Sequence, residues 1–516
     1  MTPPIDLRPD HAKIVHDIIA RHLPGGVSMR VFGSRAKWTA KPHSDLDLAV
    51  KGKEPLPRAL LSDVAEAFSE SDLPFRVDVV DWHSVAPSFQ AVIDRDGKAL
   101  PWPTFPLRQF VDPNRAICYG IVQPGKPVEQ GVPMLRVNNF GSGGLDTSDV
   151  LRVDKEIEAQ YSRSRLQGGE LLITLVGSVG QSAIAPEALR GWNVARAVGV
   201  VPIKDGMIAR WVKLVFTSSQ AQEFFAQRAN TTVQTTVNLR DLAALPVPMP
   251  PQPTLESIVA IISALDDKIE LNRRMNATLD RQAQAVFRDW FVDFGPVRRK
   301  QAGEADPVAI MGGLTPDPAR AAHLAALFPD AFGDDGLPVG WSRQTVESIM
   351  ELAYGKSLPK TVRKDGPFPV YGSGGISGTH STALVSGPGI IVGRKGTVGS
   401  LYWEAGDFFA IDTVFYVIPK DGVPLNFAWH LLKTLGLEGM NTDAAVPGLN
   451  RGNAYRLEFA FGGAMLMEAF ETFAGPMRAR QDASNSETQT LAETRDYLLP
   501  RLMSGTVRVV PQDRAA

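Results

Sequence analysis

The chain has 516 residues, enough for three or four domains each with its own core. Its 54 Lys and Arg against 56 Asp and Glu exclude a general electrostatic attraction to nucleic acid or membrane, so any nucleic-acid contact must come from local patches or be shared with a basic partner. One cysteine, Cys118, excludes an intramolecular disulfide framework and a cysteine-based zinc cage, fits a reducing compartment and is expected to be a small buried apolar residue.

The opening residues, MTPPIDLRPD, show no basic start before an apolar core, and no run approaches the ~20 apolar residues that cross a bilayer. A soluble, cytoplasmic chain with no membrane partner is the expectation. Ile14, Val15, Ile18, Ile19 and Leu23 fall at helical spacing and predict a helix over 8–24, ended by PGG. Three strand-like runs follow, VSMRVFG, DLDLAV and PFRVDVVD, with a helix at about 56–70 between the last two. They make a small α/β unit over 1–100, closed by the Pro-rich stretch LPWPTFPL.

From 103 to about 250 the text is Gly-rich and strand-dominated, closing on PVPMPPQP. A helical run over 251–294 follows, roughly 60 Å long if straight at 1.5 Å per residue. Ile258, Ile262, Leu265, Ile269, Leu279, Ala283 and Val286 form a near-heptad stripe, interrupted by Asn272 and Asn276, which is a seam for another helix with register set by buried Asn. A linker rich in Gly, Pro and Asp spans 295–336, a second globular stretch 337–460, and a second helix 461–510, more polar at Gln481, Ser484 and Thr488.

The second half repeats the first. VQTTVNLRDLAALPVP and its helix recur as AVPGLNRGNAYRLEFA and the second helix, without gaps from Asn238 and Asn450 to Leu279 and Leu491. Upstream, LLITLVGSVGQ and GIIVGRKGTVG form another pair, slightly out of step. Two similar surfaces joined by long helices suit a ligand touched twice at fixed separation, and duplex DNA is the commonest of these. The predicted class is α+β multidomain: a small α/β domain, then two globular α/β units separated by two long antiparallel helices.

Residues 103 to about 510 closely resemble the specificity (S) subunit of type I restriction-modification enzymes. The resemblance rests on VNLRDLAALPVPMPPQ leading into SALDDKIELNRRMNATLDRQAQAVFRDWFVDF, on DGLPVGW, and on FPVYGSGGISG with GIIVGRKGTVG. It implies two target-recognition domains that each read half of a split double-stranded DNA site, and helices that set the gap and dock two methyltransferase (M) subunits, with restriction (R) subunits completing the complex. Read as residue chemistry, Arg136, Asn138, Asn139, Arg163, Arg165 and Arg196 in the first unit can reach phosphates or base edges. In the second, Lys356, Lys360, Arg363, Lys364, Tyr371, Ser373, Arg394 and Lys395 can do so beside flexible glycines.

The first hundred residues resemble the minimal nucleotidyltransferases of the DNA polymerase β superfamily, on VFGSRAKWTAKPHSDLDLAV and FRVDVVD. Gly33 and Ser34 form a turn suited to triphosphate oxygens, with Arg35 or Lys37 offsetting charge. Asp45 and Asp47, two apart, share a face, and Asp78 lies on a neighbouring strand, so the three can hold Mg²⁺ ions that bridge a nucleoside triphosphate and activate an attacking hydroxyl. Asp81 ranks below Asp78 because it falls on the opposite face, and His43 is a rim residue with no partner at ligand spacing. No Asn-Pro-Pro-aromatic segment or Walker A loop is present, GKS at Gly355 to Ser357 lacking the upstream glycine, so methyl transfer and ATP-driven translocation fall to partner subunits. The alternative is a nucleotidyltransferase enzyme that uses the repeat as a targeting module, and a third possibility is a scaffold whose repeat binds only protein.

Overall fold

The computed structural model describes residues 5–24, 27–41, 43–100, 102–141, 144–228, 236–440, 448–505, 507 and 509. The starts of the two repeat segments, 233–235 and 445–447, lie outside the described residues. The chain divides into a unit of Met1–Glu270 with Gln489–Ala516 and a unit of Leu271–Thr488, and each long helix contributes to both.

The first unit opens with α1 (Pro9–His22), β1 (Ser28–Phe32), α2 (Gly33–Ala36), β2 (Leu46–Lys51), α3 (Arg58–Ser69), β3 (Val77–Asp81), α4 (Pro87–Asp96) and β4 (Lys98–Ala99). Their sheet runs β3-β2-β1-β4. β1 is antiparallel to β2 and β4, whereas β2 and β3 are parallel, and α3 supplies the crossover a parallel pair requires. Val15, Ile18 and Ile19 of α1 meet Leu46, Leu48 and Val64 in one core. The two-residue β4 and the weakly apolar α4 leave no periodic trace in the sequence.

The Pro-rich boundary does not stay irregular. Thr104–Pro106 pairs antiparallel with Pro246–Pro248, a two-stranded ribbon that tolerates prolines because its outer edges need no ladder bonds.

Both repeat copies carry the same two sheets. In the first copy, Ser182–Ile184, Leu171–Thr174, Val198–Val201 and Cys118–Tyr119 lie in that order, and Leu151–Val153, Val132–Leu135 and Asn193–Val194 form the other sheet. In the second, Leu401–Glu404, Gly389–Gly393, Val414–Pro419 and Met350–Tyr354 correspond, as do Gly375–His380, Phe368–Gly372 and Phe409–Ala410. In each three-stranded sheet the last pair is parallel. Gly177 and Gly180 turn at φ 76° and 92°, and Gly396 and Gly399 at 84° and 71°, conformations that cost a Cβ-bearing residue. Gly180 N donates to Thr174 O as Gly399 N donates to Gly393 O. Asn238 and Asn450 then cap short helices, Leu239–Ala243 and Arg451–Tyr455, by accepting from the third backbone N–H onward.

The long helices run over Gln252–Phe291 and Ala464–Met503. Within the first unit Leu255, Ile258, Val259 and Ile262 share a core with Leu499, Leu502 and Met503, and Arg495 donates to Asp266 at 2.9 Å. Within the second, the fully buried Asn272 donates to Glu487 at 2.8 Å, while Asn276 donates to Asn485 at 2.7 Å and accepts from Gln481 at 2.9 Å. Contacts that descend one helix as they climb the other make the pair antiparallel, with the two Asn in the seam as the heptad interruption predicts.

The stretch 295–336 is not the passive linker its composition suggests. It holds helices Gly295–Gln301, Pro307–Ile310 and Pro318–Ala326, the last two capped by Asp306 and Asp317. Val297, Ile310, Met311, Ala325 and Phe328 enter the second unit's core beside Trp290 and Trp341. Pro and Asp that resemble linker composition are here first-turn and cap residues.

Candidate nucleotide and nucleic-acid sites

Parallel pairing of β2 with β3 sets Asp47 directly beside Asp78, and Phe32, the last residue of β1, lies opposite Asp47 on its other side. Gly33 follows at φ 73°, and a methyl group there would collide with the Asp47 carboxylate, so backbone and acid meet where a side chain cannot. Burial first, then the charges of Asp78 and Asp45, push the Asp47 carboxyl above its usual range. Such crowding favours a cation, and carboxylate oxygens suit Mg²⁺. Among the described residues no three His, Cys, Asp or Glu converge at coordinating distance, and Asp78 pairs with Arg76 at 2.8 Å. The Arg76 side chain is 78% exposed, and a surface pair of that kind contributes only about 0–1 kcal/mol, so Asp78 can turn to a cation at little cost. The donor set is therefore of the chemical kind magnesium takes, although in this arrangement the three carboxylates do not converge on one point.

Arg35 departs from the expected phosphate role. Its guanidinium is buried, donates to the carbonyls of Ser44 and Asp6 and lies 4.0 Å from the Phe75 ring centroid. It fastens the loop that carries Asp45, while Ser34 stays at the turn and Lys37 pairs with Asp96 at 3.3 Å. Asp81 is buried and accepts from His83 N and Ser84 Oγ, which makes it a cap, and His43 is exposed.

In the first repeat copy several expected DNA contacts prove structural. Asn139 is buried, accepts from Arg136 N and donates to the carbonyls of Asp146 and Asp149, leaving nothing to offer a base. Arg165 binds both oxygens of the buried Glu158, which also accepts from Asn193, and this holds the Glu158 carboxyl below its usual range. Arg136 pairs with the exposed Asp149 at 3.2 Å. Asn138, Arg163 and Arg196 are exposed, and neither arginine has a carboxylate within 4 Å among the described residues. Arg163 lines a groove of about 570 Å³ with Asn114, Tyr119, Gln160, Tyr161 and Leu239. Cys118 lies half-buried on that groove, where burial raises its thiol.

In the second copy Tyr371 is buried and donates to Glu404 at 2.9 Å; burial, then Glu404, raises its phenol out of the ordinary range. It is a core residue rather than a reader. The Ser373 carbonyl accepts from Ser400 and Tyr402, and Arg363 donates to the carbonyls of Leu358 and Ser377, so both hold loops in place. Lys356, Lys360, Lys364 and Lys395 are exposed and Arg394 is half-buried. Sequence reasoning missed Arg451 and Tyr354, which lie beside these cations; the two Tyr-Gly pairs at 119–120 and 354–355 point to Tyr354, and the alignment of Asn238 with Asn450 sets Arg451 against Leu239.

The chain matches the family described as type I restriction modification DNA specificity domain over 127–281 and 338–450, and the family polymerase beta, nucleotidyltransferase over 24–101. It is 25% identical over 410 residues to the type I restriction enzyme HindI specificity subunit of Haemophilus influenzae, covering 68% of this chain and 89% of that one. Against the Escherichia coli EcoBI specificity subunit it is 30% identical over 184 residues, 35% of this chain and 38% of that one. Its N-terminal part is 42% identical over 89 residues to the probable protein adenylyltransferase MntA of H. influenzae, 17% of this chain and 77% of that one. Among solved structures it is similar to the type I restriction-modification S subunit from M. genitalium, at a TM-score of 0.47 and 17% identity over 78% of this chain and 96% of that one. Among the described residues no helix is long and apolar enough to cross a membrane.

Proposed function

The chain belongs to the type I restriction-modification DNA specificity family and carries an N-terminal nucleotidyltransferase domain, and from that premise we propose that it directs a cytoplasmic type I complex to a bipartite DNA site. Residues 103–250 and 337–460 act as two target-recognition domains. The helices of 251–294 and 461–510 set the gap and dock two methyltransferase subunits, with restriction subunits joining them. The single observation that carries this reading is the doubled architecture, with the same two sheets and the same glycine turn in each copy. Methylome sequencing with and without the gene tests it: a split motif should disappear with the gene, and exchanging residues 337–445 for a relative's should alter one half only. A contiguous motif, or a change in both halves, would overturn it.

For the N-terminal domain we infer magnesium-dependent transfer of a nucleoside monophosphate to a protein or nucleotide hydroxyl. The support is the crowded trio Asp45, Asp47 and Asp78 against the Gly33–Ser34 turn. Held by these carboxylates, magnesium would supply the positive charge that a triphosphate and an attacking hydroxyl need. The Gly33 and Ser34 backbone N–H groups orient the phosphates, and Arg35, from beneath, keeps the Ser44 end of the Asp45 loop in place. The acceptor hydroxyl releases its proton to solvent as its oxygen bonds to the α-phosphorus, the bond from the α-phosphorus to the bridging oxygen breaks and pyrophosphate leaves. Asp47→Asn should abolish labelling by a nucleoside triphosphate, a loss of orders of magnitude, while target methylation persists. Absence of triphosphate binding by calorimetry would reduce the domain to a structural appendage.

A further inference from the structure

The two repeat copies share several backbone bonds around one edge strand, so equivalent positions can be paired and their differences read. In the first, Tyr119 and Ile173 flank Gly199, Ile121 N donates to Val194 O, and Val237 N donates to Leu175 O. In the second, Tyr354 and Val392 flank Phe415, Lys356 N donates to Ala410 O, and Leu449 N donates to Arg394 O. The glycine after each tyrosine fits a close approach: a methyl group at Gly120 would meet Val194 O, and one at Gly355 would meet Ile411 O. Tyr354 thus stands where the first copy has Tyr119. Lys356, Arg394, Lys395 and Arg451 stand where it has Ile121, Leu175, Val176 and Leu239.

The tyrosine is kept and four apolar positions have become cations. Tyr354 is 46% exposed, and the guanidiniums of Arg394 and Arg451 lie 4.9 and 4.6 Å from its ring centroid. Lys356 and Lys395 are exposed. None of the four cations has a carboxylate within 4 Å among the described residues. Cation–π attraction at an exposed ring steadies the arginines but does not cancel their charge. At physiological salt the Debye length is about 8 Å, so clustered like charges still repel and the face favours an anion.

We propose that Tyr354, Lys356, Arg394, Lys395 and Arg451 form a phosphate-anchoring site for the DNA backbone, and that the first copy has no counterpart to it. The inference rests on the DNA-reading role and adds an asymmetry to it. The second recognition domain grips the duplex electrostatically, whereas the first offers an apolar edge around Tyr119 and the Arg163 groove. Phosphate contacts set register without carrying sequence, so the anchor belongs to positioning rather than readout.

The test uses the full chain and a mixed-sequence DNA duplex across a salt series, with the target duplex added once its motif is known. Each phosphate neutralised contributes about 0.9 to the slope of log K against log salt. Lys356→Gln with Lys395→Gln, at exposed side chains that no fold contact requires, should lower the slope by about 1.8. Adding Arg394→Gln and Arg451→Gln should lower it further, and Val176→Lys in the first copy should raise it by about 0.9. The methylated motif should stay the same in every variant. An unchanged slope in the lysine pair, with wild type binding normally, overturns the anchor alone. Wild type that binds no duplex at any salt overturns the DNA-reading role with it. Loss of association with methyltransferase subunits while the slope holds would assign the cations to a protein partner, and an altered motif would make them base readers; either overturns the proposal.

Discussion

The two repeat copies share a backbone and differ in how they use charge. In the first, Arg115, Arg136, Arg165 and Arg190 are paired with Glu170, Asp149, Glu158 and Glu187. In the second, the cations around Tyr354, two exposed and two half-buried, have no carboxylate within 4 Å among the described residues. One framework can therefore carry two surfaces, because the bonds that build it run through backbone groups and buried apolar side chains. Arginine count is then a poor guide to ligand contact. Four arginines of the first copy serve intramolecular pairs, two of them on buried carboxylates, and an uncompensated buried charge is costly.

The sharpest way to break the correspondence is at the paired glycines. Gly120→Ala and Gly355→Ala each drive a methyl group into a carbonyl oxygen, and each should cost about 1–3 kcal/mol, read as a lower denaturation midpoint. Similar losses would support equivalence; a neutral effect at one position would show that the two turns are not alike. A smaller contrast lies in the arginines. Arg165→Ala strands the buried Glu158 and should destabilise by about 1–3 kcal/mol, whereas Arg394→Ala should change stability by less than about 1 kcal/mol while weakening DNA binding.

Acid should separate the copies too. Burial drives the His430 imidazole, 2.8 Å from the Gln284 amide oxygen, down to about 3, with Lys433 and Arg478 adding to the effect and Asp280 opposing it. Folding thus keeps it neutral while the unfolded chain takes up a proton. Its contribution is whole above pH about 6.5, falls by at most about 1.4 kcal/mol per pH unit below that, and is exhausted near the folded value. Glu158 is also depressed, but its contribution is lost only as pH falls below the ordinary glutamate range. Between pH about 6.5 and 4.5 the second unit should therefore weaken before the first recognition domain, and His430→Gln should flatten that slope in thermal denaturation. The smallest expected effect is at Asp149→Ala: the Arg136 pair is exposed, so stability should move by less than about 1 kcal/mol.

Sequence by itself determined the elements whose signal is local or periodic. Apolar positions at near-heptad spacing marked the first long helix and the repeat marked the second, and Asn272 and Asn276 announced themselves as polar residues within an apolar stripe. The alternation of DLDL and VDVV placed Asp47 beside Asp78 once the strands paired, and the glycine turns recurred because positive φ is a local requirement. Only tertiary structure decided what each polar side chain does. Arg35 turned inward because Ser44 and Asp6 present carbonyls there, Asn139 became a cap because Asp146 and Asp149 fold back over it, and Tyr371 was buried against Glu404. The stretch 295–336 entered a core because Trp290 and Trp341 gave its helices something to cover. Each of those outcomes depends on a partner distant in sequence, and an arginine, asparagine or tyrosine has the same composition whether its hydrogen bonds end on the chain itself or on a ligand.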